Sequence, residues 1–459
     1  MEKTEKVQGI EQNPLGTAPV TSLLVKFAVP SIIAMLVSAL YNIVDQLFIG
    51  NSIGELGNAA TNIAFPLTTS CTAISLVFGI GGASCFNLAM GAGNRERAPH
   101  YIGNAAFLLF ICGSVLCLVT ETFLTPMLHF FGSPENVLPY AQTYTSITAI
   151  GFPFLILTTG GGHLIRADGS PRFAMICNLS GALINTVLDA VFIFGFHMGM
   201  AGAAFATITG QIFSAILVFR YLRHYRTASL KLVHLRLRWC YTGRVISLGM
   251  SPFCNQIAMM VVQIVMNKSL AYYGALSIYG ESIPLACSGI INKVGMVFFS
   301  VVIGISQGLQ PIASFNYGAR KYDRVCRALR NALTGAGVIS IIAFVMFQLF
   351  PRQISAAFGS GSEMYFQFAA RYFRIYFFFI FINFVQPISS NFFTAIGKPY
   401  KGVFLSLTRQ ILFLLPLLLL FPLWMGIDGI MYAGPCADLL AAVIAISMTA
   451  FEIKKLKKL

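Results

Sequence analysis

LYNIVDQLFIG, Leu40 to Gly50, sets the reading of the whole chain. It closes a hydrophobic run that begins near Ser22, and about 20 apolar residues suffice to cross a bilayer as a helix. Asp45 lies inside that run. A carboxylate in hydrocarbon is costly unless it is solvated, paired or protonated, so acids in such places mark ion or substrate paths. Ser38, Tyr41, Asn42 and Asp45 stand at i, i+3, i+4 and i+7, one polar stripe on a helix of 3.6 residues per turn. A second acid, Asp189 in NLSGALINTVLDAVFIFG, has a similar setting, with Asn178, Ala182 and Asn185 on its face. The pair points to a membrane transporter.

Composition supports this. Of 459 residues, 56% are hydrophobic and only 10% charged, against about 25% charged in a soluble domain. Apolar runs recur along the whole length, and no alternating ten-residue pattern suggests a transmembrane barrel. The first 20 residues are polar, with no apolar core or cleavage site of a secretory signal. The net charge of +15 is unevenly spread: 25 of the 31 Lys and Arg fall at the two termini and in segments 91–101, 163–173, 220–244, 318–330 and 397–401. Basic residues gather in cytoplasmic loops, so both termini are expected in the cytoplasm and the number of spans is even. This distribution argues against a nucleic-acid partner. The ten cysteines are scattered, with no CxxC, and no histidines form an i, i+4 pair. Neither a disulfide framework nor a metal site is expected, and no nucleophile–base constellation suggests an enzyme or a bound cofactor.

Twelve spans fit, near 22–49, 60–90, 102–126, 138–162, 173–195, 202–222, 245–270, 286–316, 329–350, 365–393, 402–423 and 428–452. Pro30, Pro66, Pro153, Pro252, Pro311, Pro387 and Pro416 fall inside spans, where each removes a backbone donor and can kink the helix. The second half echoes the first. MGAGNRERA (Met90 to Ala98) resembles YGARKYDRV (Tyr317 to Val325), and HFFGSPE at Gly132 parallels AAFGSGS at Gly359. ADGSP (Ala167 to Pro171) parallels AIGKP (Ala395 to Pro399), and MGMAGAAFAT (Met198 to Thr207) parallels MGIDGIMYAG (Met425 to Gly434). All four pairs keep nearly one offset, as an internal repeat does. The expected fold is therefore an all-α polytopic membrane protein with twelve transmembrane helices in two repeated six-helix lobes. The N-lobe covers 21–222 and the C-lobe 245–452. A polar cytoplasmic segment 1–20, a basic linker 223–244 and a basic tail 453–459 complete the chain. Parallel repeats of this kind place a site at their interface.

These features resemble the multidrug and toxic compound extrusion (MATE) family, closest to its bacterial MepA-type exporters. The resemblance covers about 20–455 and rests on the two repeated halves, on VPSIIAMLVSALYNIVDQLFIG in the first span and on ISQGLQPIASFNYGARKYDRV closing the eighth. It implies export of amphipathic, mostly cationic compounds from the inner membrane of a bacterium, in exchange for H⁺ or Na⁺, by alternating access of the lobes. It further implies functional acids at Asp45 and Asp189, with polar positions at Tyr41, Asn185 and Thr207. Asn42 joins them on the stripe.

The residues themselves allow such coupling. Counting 1.5 Å per residue from the cytoplasmic ends, Asp45 lies roughly 35 Å and Asp189 roughly 26 Å along its helix, near the outer end of each. An acid at that depth can exchange a proton, Na⁺ or a cationic substrate. Its alternative role is to pair helices. By the repeat, Asp45 faces Asn267, Tyr41 faces Gln263, and Asp438 mirrors Gln211. The second lobe thus lacks the acid pair, so coupling is expected in the first lobe alone. Gln211, Gln263 and Asn267, with Met260 and Met296 as adaptable apolar surface, are candidates for the substrate cavity. Glu121 sits near a helix end, Glu281 in a loop-like GESIP, and Lys293, Arg371, Arg374 and Arg409 can each pair with an acid or reach the interface. A monomer in contact with membrane lipids is expected. A flippase for lipid-linked saccharides shares the lobe design and is the alternative function, distinguished by a more cationic cavity.

Overall fold

A computed structural model describes residues 13–280, 282–357 and 362–458. Gly359, Glu281 and the first twelve residues, on which some of the expectations above fall, lie outside them. All regular structure among the described residues is helical. Ten helices are long and apolar enough to span a bilayer, and two bent pairs raise the number to twelve. We label them in chain order. The first six are α1 (Val20–Ile53), α2 (Glu55–Gly91), α3 (Ala98–Thr122), α4 (Leu138–Ile150 with Phe152–Ala167), α5 (Pro171–Gly195) and α6 (Gly199–Arg223). Then come α7 (Trp239–Ala275), α8 (Ser282–Gly318), α9 (Tyr322–Leu349), α10 (Glu363–Tyr376 with Ile380–Ala395), α11 (Pro399–Met425) and α12 (Ile427–Leu456).

Local sequence explains the boundaries. Proline stands in the first turn of α3, of both parts of α4, of α5 and of α11. There its missing N–H would have had no partner. Gly54 joins α1 to α2 and Gly426 joins α11 to α12, both at positive φ (80° and 57°), so these connections are a single residue long. α4 bends by 56° at Gly151, ahead of Pro153, and α10 by 42° across residues 377–379. Pro30, Pro66, Pro252 and Pro311 instead lie within unbroken helices. Parts of α5 and α11, Ala190–Gly195 and Thr408–Leu414, are wound as π-helix, a form concentrated at functional positions.

Two boundaries differ from the sequence reading. α7 begins at Trp239, six residues inside the expected linker, and α4 continues through Ala167. Arg166, counted above with the basic loops, is thus helical and only 4% exposed. What ends α4 is Asp168, which is buried and accepts hydrogen bonds from the Tyr221 hydroxyl at 2.7 Å and the backbone N–H of Arg226 and Thr227 at 2.8 and 2.9 Å. This carboxylate ties the α4–α5 turn to the start of the linker.

The first and last six helices meet where α1 packs along α8 and α2 along α7. Glycines let the backbones touch. A methyl at Gly81 would lie 2.1 Å from the Val245 carbonyl oxygen, and one at Gly249 2.0 Å from that of Val77. Gly304 and Gly308 on α8 abut the Ile32 and Ala28 backbone of α1 in the same way. Small residues that admit close backbone approach are the usual means of pairing helices in lipid. The linker is clasped by Asn104 on α3. Its amide donates to the carbonyls of His234 and Arg236 at 2.9 and 3.0 Å, and its oxygen accepts from Arg238 N–H and the Thr242 hydroxyl at 3.1 and 3.0 Å.

Candidate functional site

Within the first six helices, α1, α4, α5 and α6 enclose a cavity of about 160 Å³. Its lining includes Ser38 and Tyr41 from α1, Asn178, Ala182 and Asn185 from α5, and Thr207 and Gln211 from α6. Both polar stripes seen in the sequence therefore turn toward one space. Beside it lie the two acids. Asp45 is 8% exposed and Asp189 fully buried, and their carboxyl groups are within hydrogen-bonding reach of each other. Neither has a basic partner among the described residues. Asn185, 3% exposed, donates to the Thr207 hydroxyl at 3.2 Å. Four oxygens are buried without a hydrogen-bond donor: Asp45 Oδ1, both of Asp189, and Asn185 Oδ1.

An all-oxygen set of this kind suits a proton or a hard cation such as Na⁺. Two adjacent carboxylates in a medium of low dielectric repel strongly, which a shared proton or a cation between them relieves. The π-helical turn of α5 begins directly after Asp189, which re-aims the end of the helix.

The candidates do not all gather here. Asn42 is exposed and its amide donates to the Ser38 carbonyl of its own helix at 2.7 Å. One turn places it on the stripe's edge, outside the cavity. Met260, Gln263, Asn267 and Met296 stand on α7 and α8, apart from this cavity. Gln263 donates to Asn267 at 2.9 Å, Asn267 is exposed, and Met296 is 46% exposed. Asp438 is paired: Arg409 donates to it at 2.6 Å, and both are largely buried. Arg371 reaches Asp428 at 2.7 Å. Lys293 has no ion pair among the described residues.

Three residues at the cavity or beside its acids escaped the sequence reading. Tyr144 on α4 stands beside Asp45, Tyr41, Asp189 and Thr207. The dense hydroxyls of YAQTYTSIT were the available signal. His163 and Arg166 line the opposite end of the cavity. Arg166 could have been noticed through the repeat, which sets Thr394 against it.

A polytopic helical bundle with a buried acid pair beside a polar cavity has the make-up of a membrane transporter. The MatE family model matches residues 30–191 and 253–420, and the chain belongs to this family, that of the MATE multidrug exporters. Among similar sequences, a protein named FAD transporter from Shewanella oneidensis is 23% identical over 451 residues, covering 94% of this chain and 95% of that protein. Multidrug export protein MepA from Staphylococcus haemolyticus is 23% identical over 425 residues, 92% of each chain. Among solved structures, an outward-facing multidrug resistance MATE family transporter of the MOP superfamily matches with a TM-score of 0.88 at 20% identity over 99% of both chains.

Proposed function

We propose that this protein is a cation-coupled antiporter of the bacterial inner membrane, exporting amphipathic, mostly cationic compounds in exchange for H⁺ or Na⁺. Its helices act as two six-helix lobes, 21–222 and 245–452, that alternate in access around the 223–244 linker. The observation that carries this reading is the contact between Asp45 and Asp189, buried with no base among the described residues to neutralise them. Such a pair holds a proton or cation in the resting protein and gives it up when a cationic substrate, or the opposite side of the membrane, offers a better exchange. Tyr41, Tyr144, Asn185 and Thr207 hold the acids in register. In the second lobe the repeat sets an amide, Asn267, against Asp45, and an amide cannot exchange a proton.

The test is uptake of a cationic dye into inverted vesicles, with ΔpH and Na⁺ gradients imposed separately. Asp45→Asn and Asp189→Asn should each abolish gradient-driven transport while the protein inserts normally. Asn267→Ala should retain most of it. Transport that survives both aspartate substitutions but is lost in Asn267→Ala would overturn the assignment. Movement of an anionic lipid precursor with no dye transport would favour the flippase.

A further inference from the structure

The cavity has two poles. Tyr41, Asn185 and Thr207 mark the end near the acids, and His163 and Arg166 the other. Along α6 the lining runs from Thr207 to Ser214, seven residues or roughly 10 Å of helix. Arg166 is 4% exposed and makes no hydrogen bond or ion pair among the described residues; its Nε is buried with no acceptor. The nearest acid in sequence, Asp168, is already engaged by Tyr221, Arg226 and Thr227. His163, 3% exposed, stands beside Gln310 of α8, and its Nδ1 is buried with no hydrogen-bond partner. Gln310 donates to the Ile80 carbonyl at 3.2 Å and to Ser84 at 3.0 Å.

A guanidinium withdrawn from water with no counter-ion costs several kcal/mol, and a fold that keeps one normally supplies an anion. None lies against Arg166 among the described residues. We propose that Arg166 and His163 form an anion-accepting subsite, taking a carboxylate or phosphate group into the inner end of the cavity. The planar guanidinium offers parallel N–H donors to two oxygens of such a group. In the tautomer that carries its proton on Nδ1, His163 donates a further N–H to the same group. At about 160 Å³ the cavity takes the two charged ends and a slender link between them, so any bulkier part of the ligand extends beyond it. With the acid pair at the other pole, the preferred ligand is a zwitterionic amphiphile, whose cationic end lies toward Asp45 and Asp189. This deepens the transport reading, and rests on it in taking the cavity as the substrate's path.

The experiment uses purified full-length protein and two probes differing in one charge: a rhodamine with a free carboxylate, and its methyl ester. Wild type should bind the acid at least as tightly as the ester. Arg166→Gln, checked for monodispersity, should lower the acid-to-ester affinity ratio about tenfold or more, since a charge-assisted hydrogen bond is lost. Arg166→Lys should restore part of that ratio. Inorganic phosphate displacing the acid but not the ester identifies an oxyanion site open to free anions. A ratio that shifts in Arg166→Gln without phosphate competition assigns the anion to the substrate itself. An unchanged ratio in Arg166→Gln overturns the proposal, as does a wild type that binds the ester and rejects the acid, which requires no variant to fold. Because binding is read without a gradient, failure of vesicle transport would count against the antiport reading and leave this result standing.

Discussion

Single residues carry the charge balance of this protein, and they carry it differently in its two halves. Asp45 and Asp189 have no base among the described residues, whereas Asp438 is matched by Arg409 at 2.6 Å. Asp438→Asn would leave the Arg409 guanidinium buried and uncompensated, a loss of roughly 3–5 kcal/mol. Thermal unfolding in detergent should show a clear fall in midpoint. Replacing both partners by Leu and Met should recover most of it, and a double variant no better than the single would disprove the pairing argument. The acids and their polar neighbours were legible in the sequence because a carboxylate or amide is conspicuous in an apolar run. Arg166 was not, because a basic residue beside a turn looks like any cytoplasmic loop charge. Only the continuation of α4 to Ala167 reveals that it is enclosed. The odd position out on the stripe, Asn42, shows the limit of helical periodicity: 100° per residue names a face about as wide as two neighbouring helices.

At the scale of elements, the span count was readable from hydropathy, and the irregularities were not. Proline alone does not locate a bend: α4 breaks at Gly151, one residue before the turn that holds Pro153, while Pro30 and Pro252 sit in continuous helix. The linker gives a sharper case. Its sequence reads as a basic linker, and what hydropathy does not show is that Asn104 holds it by four hydrogen bonds. His234 within it accepts from Lys231 N–H through Nδ1 at 3.0 Å and packs edge-on to His100, ring centroids 4.6 Å apart. Partial burial, then the Lys231 ammonium, holds the His234 imidazole below its ordinary range. Lys231 and His100 lie against it, and neither is an acid. A depressed imidazole stabilises the clasp above the ordinary value near 6.5 and loses that contribution as pH falls through it. Hydrogen exchange across 231–238, corrected for the intrinsic rate, should therefore be faster at pH 5.5 than at 7.5. Equal protection at both would rule this out. Asn104→Ala should raise exchange there at either pH.

For the whole molecule, the distribution of Lys and Arg makes a claim about sidedness that the fold by itself leaves open. Cysteines introduced at Arg95, Arg236 and Arg320 should resist an impermeant reagent applied from outside, and one at Gly132 should react. Labelling at 236 without labelling at 132 would reverse the orientation. The seam between the halves has a further consequence, for inheritance. Most damaging substitutions in a packed core can be relieved by trimming the side chain opposite. At Gly81, Gly249, Gly91 and Gly318, the first atom a methyl would strike is a carbonyl oxygen, of Val245, Val77, Phe315 and Leu88 in turn, at 2.0–2.3 Å. No change of amino acid can shorten a carbonyl. A genetic screen starting from Gly249→Ala should therefore return true revertants and almost no second-site suppressors along the facing helix.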